Sequence, residues 1–170
     1  MRVYLPATTT TLRRLVDENV LTGPHTAFAV TPRLQEFYAL NDPEADSEEL
    51  EYAALREAAR ASLRLLDIDP AAARRRVVLA ADVPDGDVTP IDDEDTERGA
   101  VRVSSDIPIR AVASAHIDGE DAEEDVRAAV NVVLEADLGS EDAQFVVDQA
   151  EGHELAWYAT QEIGPAIDLL

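Results

Sequence analysis

The chain contains no cysteine and no lysine. Without cysteine it can form no disulfide, thiolate nucleophile or cysteine metal ligand. Without lysine it can have neither a Schiff-base lysine nor the phosphate-binding lysine of a P-loop. All 14 basic residues are therefore arginines, and this usage, together with abundant alanine, indicates the codon bias of a GC-rich genome.

Long hydrophobic runs are also missing. The longest, such as VVLAA at residues 77–81, are far shorter than a membrane span, and the first residues, MRVYLPATTTT, lack the apolar region of a signal peptide. We therefore expect a cytoplasmic protein with no membrane partner.

Negative charge is what the chain has in excess, with 36 acidic residues and a formal net charge of −22. This charge repels phosphate backbones, so we expect no nucleic-acid partner. Hydrophobic residues make up 46% of the 170 residues, which predicts a folded chain of one domain, residues 1–170. Whether the acidity reflects salt adaptation or ordinary solubility stays open.

Hydrophobic spacing predicts alternating strands and helices in the first half of the chain. We expect a strand at residues 2–6 ending at Pro6, a short helix carrying Leu12, Leu15 and Val16, and a strand at residues 26–30. The short spacing of these elements predicts a parallel right-handed crossover. The longest predicted helix, residues 47–66, has a capping box and an apolar stripe, formed by Leu50, Ala54, Ala58, Ala61 and Leu65.

The second half continues with a predicted buried strand at residues 77–81, then an acidic, solvated loop at about residues 84–99. Strands at residues 101–104 and 112–117 follow. Asp121 and Glu124 predict a capping box for a helix whose inward face is Val126, Val130, Val133 and Leu134. Ser140 begins another helix, and a last one is predicted from His153 to Ile163, ended by Gly164 and Pro165.

Together these elements predict an α+β fold, with a mixed sheet of about four to five strands packed against several helices. The sequence also resembles an uncharacterised actinobacterial family, a domain of unknown function. The resemblance covers nearly the whole chain, and its main segments are MRVYLPAT, TAFAVTP, EELEYAALREAARASLRLL, RRRVVLAADVPD, AHIDGEDAEEDVRAAV and EDAQFVVDQAEGHELAWYATQE. It implies an actinobacterial source and a cytoplasmic location, but no mechanism or catalytic residue.

Two short segments invite a metal-site interpretation, which the sequence favours in neither case. His153 and Glu154 begin like a zinc-hydrolase helix, but the fourth residue after His153 is Trp157, which cannot bind zinc. We therefore interpret His153 as a helix-start residue or hydrogen-bonding partner. His116 lies in AHIDGEDAEED, whose spacing excludes an EF-hand and whose acids we interpret as helix caps, with weak cation binding as the alternative.

The last predicted helix carries most of the remaining candidates, Trp157, Tyr158 and Gln161. We expect Trp157 and Tyr158 to close the core, so that Trp157 is mostly buried. The alternatives are a homodimer interface and the floor of a ligand pocket.

Arg56, Arg60 and Arg64 recur at every fourth position and so form one helical stripe. Because like charges repel at this spacing, an acidic group should face them. We expect carboxylates of the 84–99 loop to neutralise the stripe, with exposed solvated arginines or an external anion as the alternatives.

No G-x-S-x-G, G-x-G-x-x-G or P-loop pattern is present, and no cofactor or metal is indicated. We therefore expect a non-catalytic acidic protein that acts through a protein partner or self-association, including a homodimer. The alternative is a small hydrolase or metal-assisted enzyme that uses carboxylates with His116 or His153. A cleft of about 300 Å³ or more lined by both histidines, Tyr158 and acids would favour this alternative.

Overall fold

The computed structural model describes residues 1–170 as six helices, a seven-stranded sheet and a two-stranded sheet. The strands are β1 Arg2–Ala7, β2 Val20–Leu21, β3 His25–Phe28, β4 Val77–Asp82, β5 Val88–Pro90, β6 Ala100–Val103, β7 Ile107–Pro108, β8 Val112–Ile117 and β9 Ala156–Ala159. The helices are α1 Thr9–Glu18, α2 Pro32–Asn41, α3 Ser47–Asp67, α4 Glu123–Asp137, α5 Glu141–Glu151 and α6 Ile163–Ile167. The predicted α+β class is confirmed.

The large sheet has the strand order β5-β6-β3-β1-β4-β8-β9, while β2 and β7 form the small sheet. Every pairing is antiparallel, so the predicted mixed sheet of four to five strands and its parallel crossover are wrong. The crossover fails because β1 and β3 pair as antiparallel neighbours, with Tyr4 opposite Phe28. Pro6 does not end β1, since it lies within the strand opposite Val78.

Side chains of the large sheet alternate between two covered faces. One face, with Val3, Leu5 and Leu79, packs against residues of α1 and α6. The opposite face, with Tyr4 and Val78, packs against residues of α2 and α3. A further apolar cluster joins α3 to α4 and α5. The strand β4 is buried over its first five residues because it lies between β1 and β8 and both its faces are covered, as its apolar run predicts.

The predicted capping box of α3 is confirmed. Asp46 accepts a hydrogen bond from the Glu49 amide at 3.0 Å, and the Glu49 side chain accepts one from the Asp46 amide at 2.9 Å. The buried face differs in part from the predicted stripe, because α3 packs against both the sheet and the α4–α5 pair. Ala54 and Ala58 are buried as expected, whereas the other stripe residues are only half-buried, namely Leu50, Ala61 and Leu65. The fully buried leucines are instead Leu63 and Leu66.

The predicted capping box of α4 is wrong. A 3₁₀ turn at Glu120–Ala122 leads into the helix, so Ala122 occupies the N-cap and provides no side-chain cap. Three acidic residues in the first turn, Glu123, Glu124 and Asp125, interact favourably with the helix dipole instead. The inward face is confirmed except at Leu134, which is exposed on the outer side of the helix.

The predicted C-terminal helix from His153 to Ile163 is also wrong. Residues 156–159 form β9, which pairs with β8 along its whole length, and a 3₁₀ turn at Thr160–Glu162 leads into α6. Gly164 and Pro165 lie inside α6. Proline is accepted there because first-turn amides have no partner within a helix. None of the six helices combines the length and apolar character that a membrane span requires.

The acidic segment at residues 84–99 contains a 3₁₀ turn at Asp85–Asp87 and the short strand β5, and most of its residues are exposed, as predicted. It is held against α2 by Arg33, which donates a hydrogen bond from Nη1 to the Asp93 carbonyl oxygen at 2.8 Å. The end of the segment contacts α3, where Glu97 pairs with Arg64.

A buried ion pair joins Arg76, just before β4, to Asp118, just after β8. Asp118 Oδ2 accepts hydrogen bonds from both the amide and Nε of Arg76, and Oδ1 accepts one from Nη2, each at 2.8 Å. The side chains are 3% and 0% exposed. Arg76 also donates from Nη2 to the carbonyl oxygen of His153 at 2.9 Å, which fixes the segment that precedes β9.

We expect Asp118→Asn to lower the free energy of unfolding by about 3–5 kcal/mol, because it leaves the buried Arg76 guanidinium without a charged partner. Urea unfolding followed by circular dichroism measures this loss.

Asp82→Asn is the matched control, because Asp82 pairs with Arg2 on the surface at 2.8 Å with both side chains substantially exposed. Its loss should stay below about 1 kcal/mol. Equal losses in the two variants would contradict a special role for the buried pair.

Candidate functional site

A cavity of about 440 Å³ opens around the outer side of α3. Its wall is built by α2, α3, the residues before β6, the strand β8 and the segment between α5 and β9. The α3 residues in the wall are Tyr52, Ala53, Leu55, Arg56, Glu57, Ala59 and Arg60. At 3.6 residues per turn they span an arc of about 200° with Arg56 near its middle. The cavity therefore curves around α3, and Arg56 lies in the middle of the arc that this helix contributes to the wall.

Charged side chains of both signs line this cavity. The arginines are Arg56, Arg60, Arg76 and Arg98, and the glutamates are Glu57, Glu97, Glu151 and Glu154. Equal numbers of arginine and glutamate make this region far less acidic than the chain as a whole, which has 36 acids against 14 arginines.

Carboxylates hold the last two arginines of the predicted stripe. Arg60 lies 3.2 Å from Asp137 and 3.3 Å from Glu151, and Arg64 lies 2.6 Å from Glu97 and 2.8 Å from Asp137. Only Glu97 comes from the acidic loop, so the predicted source of neutralisation is confirmed for Arg64 and wrong for Arg60. The helices α4 and α5 provide the other acids, a long-range contact that sequence proximity does not reveal.

Asp137 shows the strength of this arrangement. Its partial burial opposes ionisation, but hydrogen bonds and charge from Arg64 and Arg60 outweigh burial and hold the pKa of Asp137 below its ordinary value. These two arginines are thus committed to internal partners.

Arg56, the first arginine of the stripe, has no carboxylate within ion-pair distance. Arg98 likewise lacks a carboxylate partner, and its guanidinium carbon lies 4.0 Å from the centre of the Phe37 ring. A guanidinium stacked on an aromatic ring keeps the N–H groups at its edge free to bind oxygen atoms. The cavity wall therefore contains two guanidinium groups with no carboxylate at ion-pair distance, although the charge of Arg98 acts on Glu57 and favours its ionised form.

Glu57 is the most perturbed carboxyl group in the cavity. Burial raises its pKa to about 7, against a hydrogen bond from the Gly99 amide at 2.9 Å that favours the ionised form. The charge of Glu97 raises the pKa further. A Cβ at position 99 would lie 2.6 Å from Glu57 Oε2 and 2.9 Å from the Ala29 carbonyl oxygen, so this close approach requires glycine.

Both histidines of the cavity have a side-chain partner. His116 Nε2 lies 3.0 Å from Ser114 Oγ, and burial lowers the pKa of His116, so its neutral form is favoured. His153 Nε2 lies 2.7 Å from Asp125 Oδ2. Its interpretation as a hydrogen-bonding partner is confirmed, although it follows α5 and does not start a helix. No group of three or more histidine, aspartate and glutamate side chains is arranged to hold a metal ion.

The other three sequence candidates lie outside the cavity wall. Trp157 is 62% exposed, so the prediction that it closes the core is wrong. The physical reason is the alternation of a strand: Tyr158 packs against the core, and its neighbour Trp157 points to the opposite face. Gln161 is exposed in the 3₁₀ turn before α6.

The cavity residues that sequence reasoning missed are Glu57, Arg76 and Arg98. Arg98 and Glu57 lie in segments rich in charge, where nothing in the spacing distinguishes them from their neighbours. Gly99 provides the one local signal, because an isolated glycine just before a predicted strand indicates a close backbone approach. The cavity exceeds the volume of about 300 Å³ that would favour the enzyme alternative. Both histidines line it, but Tyr158 does not.

The family model described as a family of unknown function, DUF6912, matches residues 1–167, so the chain belongs to that family. No curated protein and no solved structure matches the chain.

We expect Glu57→Gln to stabilise the protein at pH 8 by about 1–3 kcal/mol, a range reduced for the residual solvent access of the carboxyl group. The folded pKa lies above the unfolded value of 4.5, so the folded state binds more protons and the wild type loses stability as pH rises from about 4.5 to 7. Urea unfolding at pH 5 and pH 8 tests this.

The advantage of the glutamine variant should fall to about a quarter of its pH 8 value at pH 5, because pH 5 lies only slightly above the unfolded pKa. Glu154→Gln, an exposed change in the same cavity wall, is the control and should alter stability little at either pH. A Glu57→Gln variant no more stable than wild type at pH 8 would contradict the raised pKa.

Proposed function

We propose that this member of DUF6912 binds a small organic anion, a carboxylate or a phosphate ester, in the cavity around α3. The observation that carries this proposal is the contrast within the arginine stripe. Arg60 and Arg64 are each held by two carboxylates, while Arg56, in the middle of the α3 part of the cavity wall, is held by none. In a chain so rich in acid, a cavity with free guanidinium groups favours an external anion.

Arg98, in the same cavity wall, supports the same chemistry. Its contact with Phe37 holds the guanidinium plane, and a guanidinium edge matches the paired oxygens of a carboxylate or phosphate. The cavity volume of about 440 Å³ suits a small organic molecule. Apolar and aromatic side chains complete the wall, namely Leu34, Phe37, Tyr38, Tyr52, Leu55 and Leu155. We therefore propose an anion that carries an apolar or aromatic group.

Glu57 couples this binding to protons. An anion beside Glu57 repels its ionised form, so the complex favours the protonated carboxyl group. With a pKa of about 7 in the free protein, this protonation costs little near neutral pH. Binding should therefore take up part of a proton from solution.

A second candidate function is action through a protein partner or self-association, as the sequence led us to expect. The specific observation in its favour is Trp157, an exposed aromatic side chain on an outer strand of the sheet. The hydrolase alternative has weaker support. His116 and His153 both line the cavity, but Ser114 and Asp125 each engage one ring nitrogen, and Ser114 is buried outside the cavity wall.

The proposal retains a cytoplasmic location and a single functional domain. Nucleic acid is not the proposed ligand, because internal carboxylates already hold Arg60 and Arg64 and the surrounding chain is strongly acidic.

We expect titration with phenyl phosphate or benzoate to shift amide resonances around α3, with a dissociation constant of roughly 10 μM to 1 mM. Inorganic phosphate and acetate should bind more weakly because they lack the apolar group. Whichever of phenyl phosphate and benzoate binds more tightly shows whether the site prefers a phosphate or a carboxylate.

Arg56→Ala should weaken binding about tenfold or more, since a hydrogen bond to a charged group contributes about 1.5–3 kcal/mol. Arg127→Ala, an exposed change on α4 outside the cavity, is the matched control and should leave affinity unchanged. If none of the four anions shifts a cavity resonance, or if both variants respond alike, the proposal fails.

We further expect the affinity for benzoate, whose carboxyl group stays ionised in this range, to rise as pH falls from about 8 to 6, because protonation of Glu57 removes a competing negative charge. Calorimetry in two buffers of different ionisation enthalpy measures the coupled proton uptake. Glu57→Gln should bind about equally well at both pH values, and a pH dependence that persists in this variant would assign the proton to another group.

A further inference from the structure

The two outer strands of the large sheet differ in how far they are protected from pairing with another chain. β5 ends in Pro90, which has no amide hydrogen, and acidic residues flank it, including Asp87 and Asp92. Proline and charge are common devices for protecting a sheet edge. β9, at the opposite edge, contains neither: its residues are Ala156, Trp157, Tyr158 and Ala159.

The backbone of β9 shows which groups are free. The Ala159 amide donates to Glu162 Oε1 at 3.1 Å, so it points away from β8. In an antiparallel pair, the N–H and C=O of one residue point the same way, and successive residues alternate. Two residues earlier, Trp157 therefore also directs its N–H and C=O away from β8. Trp157 offers a donor and an acceptor side by side at the open edge.

The side chain of Trp157 adds an exposed aromatic surface at the same place. It is 62% exposed and lies opposite His116 of β8, so both side chains are on the same face of the sheet. The four residues of β9 carry no charge, and the nearest acids along the chain are only Glu154 and Glu162, fewer than the acids around β5, which are Asp85, Asp87, Asp92, Asp93, Glu94 and Asp95. A second acidic copy therefore meets less repulsion at β9 than at the more acidic edge formed by β5.

The geometry points to a second copy of this chain as the partner of β9, paired antiparallel across a two-fold axis at Trp157. Such an interface is self-complementary, because each Trp157 donates to and accepts from the partner's Trp157. The two indole rings then lie side by side on one face. The two seven-stranded sheets become one sheet of fourteen strands. This inference develops the self-association candidate and is independent of anion binding around α3.

Sedimentation velocity on the full chain tests this pairing, at protein concentrations from about 1 to 200 μM. The NaCl concentration is varied from about 0.1 to 1 M, over which the Debye length falls from about 10 to 3 Å. We expect a dimer whose fraction rises with protein concentration and with salt, because salt screens the repulsion between acidic copies. The emission of Trp157, the single tryptophan, should shift to shorter wavelength as the dimer forms. Its amide should exchange with solvent more slowly in the dimer.

Trp157→Glu should weaken the dimer roughly tenfold or more, because exposed aromatic anchors dominate interface energies. Phe145→Glu is the matched control: Phe145 is 67% exposed on α5 and should leave dimerisation unchanged. Hydrogen exchange at the Trp157 amide of the wild type tests the same pairing even if the glutamate variant does not fold.

A protein that stays monomeric at the highest concentration and salt would overturn this inference. A dimer that resists Trp157→Glu, or one whose Trp157 amide exchanges as fast as in the monomer, would also overturn it. Anion binding is separable from these outcomes, since Trp157→Glu leaves the Arg56 side of the cavity intact and salt should weaken anion binding while it strengthens the dimer.

Discussion

The buried pair of Arg76 and Asp118 is the interaction on which the arrangement of this protein most depends. It joins the residue before β4 to the residue after β8, and both side chains are almost completely buried. Through the carbonyl oxygen of His153, the same guanidinium also positions the segment that leads to β9. One side of the cavity and the open edge of the sheet therefore rest on this pair. A charged pair suits this place because it fixes direction as well as distance, which apolar contacts do not.

The scarcity of arginine relative to acid makes the position of each arginine informative. Most carboxylates of the chain remain in water, where a high net charge favours solubility. Where arginines meet acids inside the fold, they connect elements distant in sequence, as Arg64 connects α3 to Asp137 at the end of α4. Arg56 and Arg98 differ from these paired arginines, because both lie in the cavity wall and neither has a carboxylate at ion-pair distance. The two edges of the sheet also differ in charge, because many acidic residues surround β5 whereas the residues of β9 are uncharged.

Glu57 lowers the stability of the folded protein at neutral pH, although it lies in the cavity wall where a neutral residue would fit. A carboxyl group whose pKa is raised by burial destabilises the folded state at neutral pH, and glutamine could accept the same hydrogen bond from Gly99 without that cost. Groups of this kind are common at binding and catalytic sites, where a protonation change near pH 7 is useful. The proposed proton-coupled binding of an anion gives this otherwise unfavourable residue a role.

The sequence by itself determined the elements whose signals are local. The capping box at Asp46 and Glu49 marks the start of α3, the apolar run at residues 77–81 marks a buried strand, and the strand predicted at residues 112–117 is β8. The tertiary structure alone decided what depends on contacts between distant segments. Residues 156–159 are a strand because β8 offers them a ladder of hydrogen bonds, although their local pattern favours a helix. Likewise, the partners of Arg60 and the burial of Glu57 arise from α4, α5 and Gly99, far away in sequence, because electrostatic and packing energies follow distance in space.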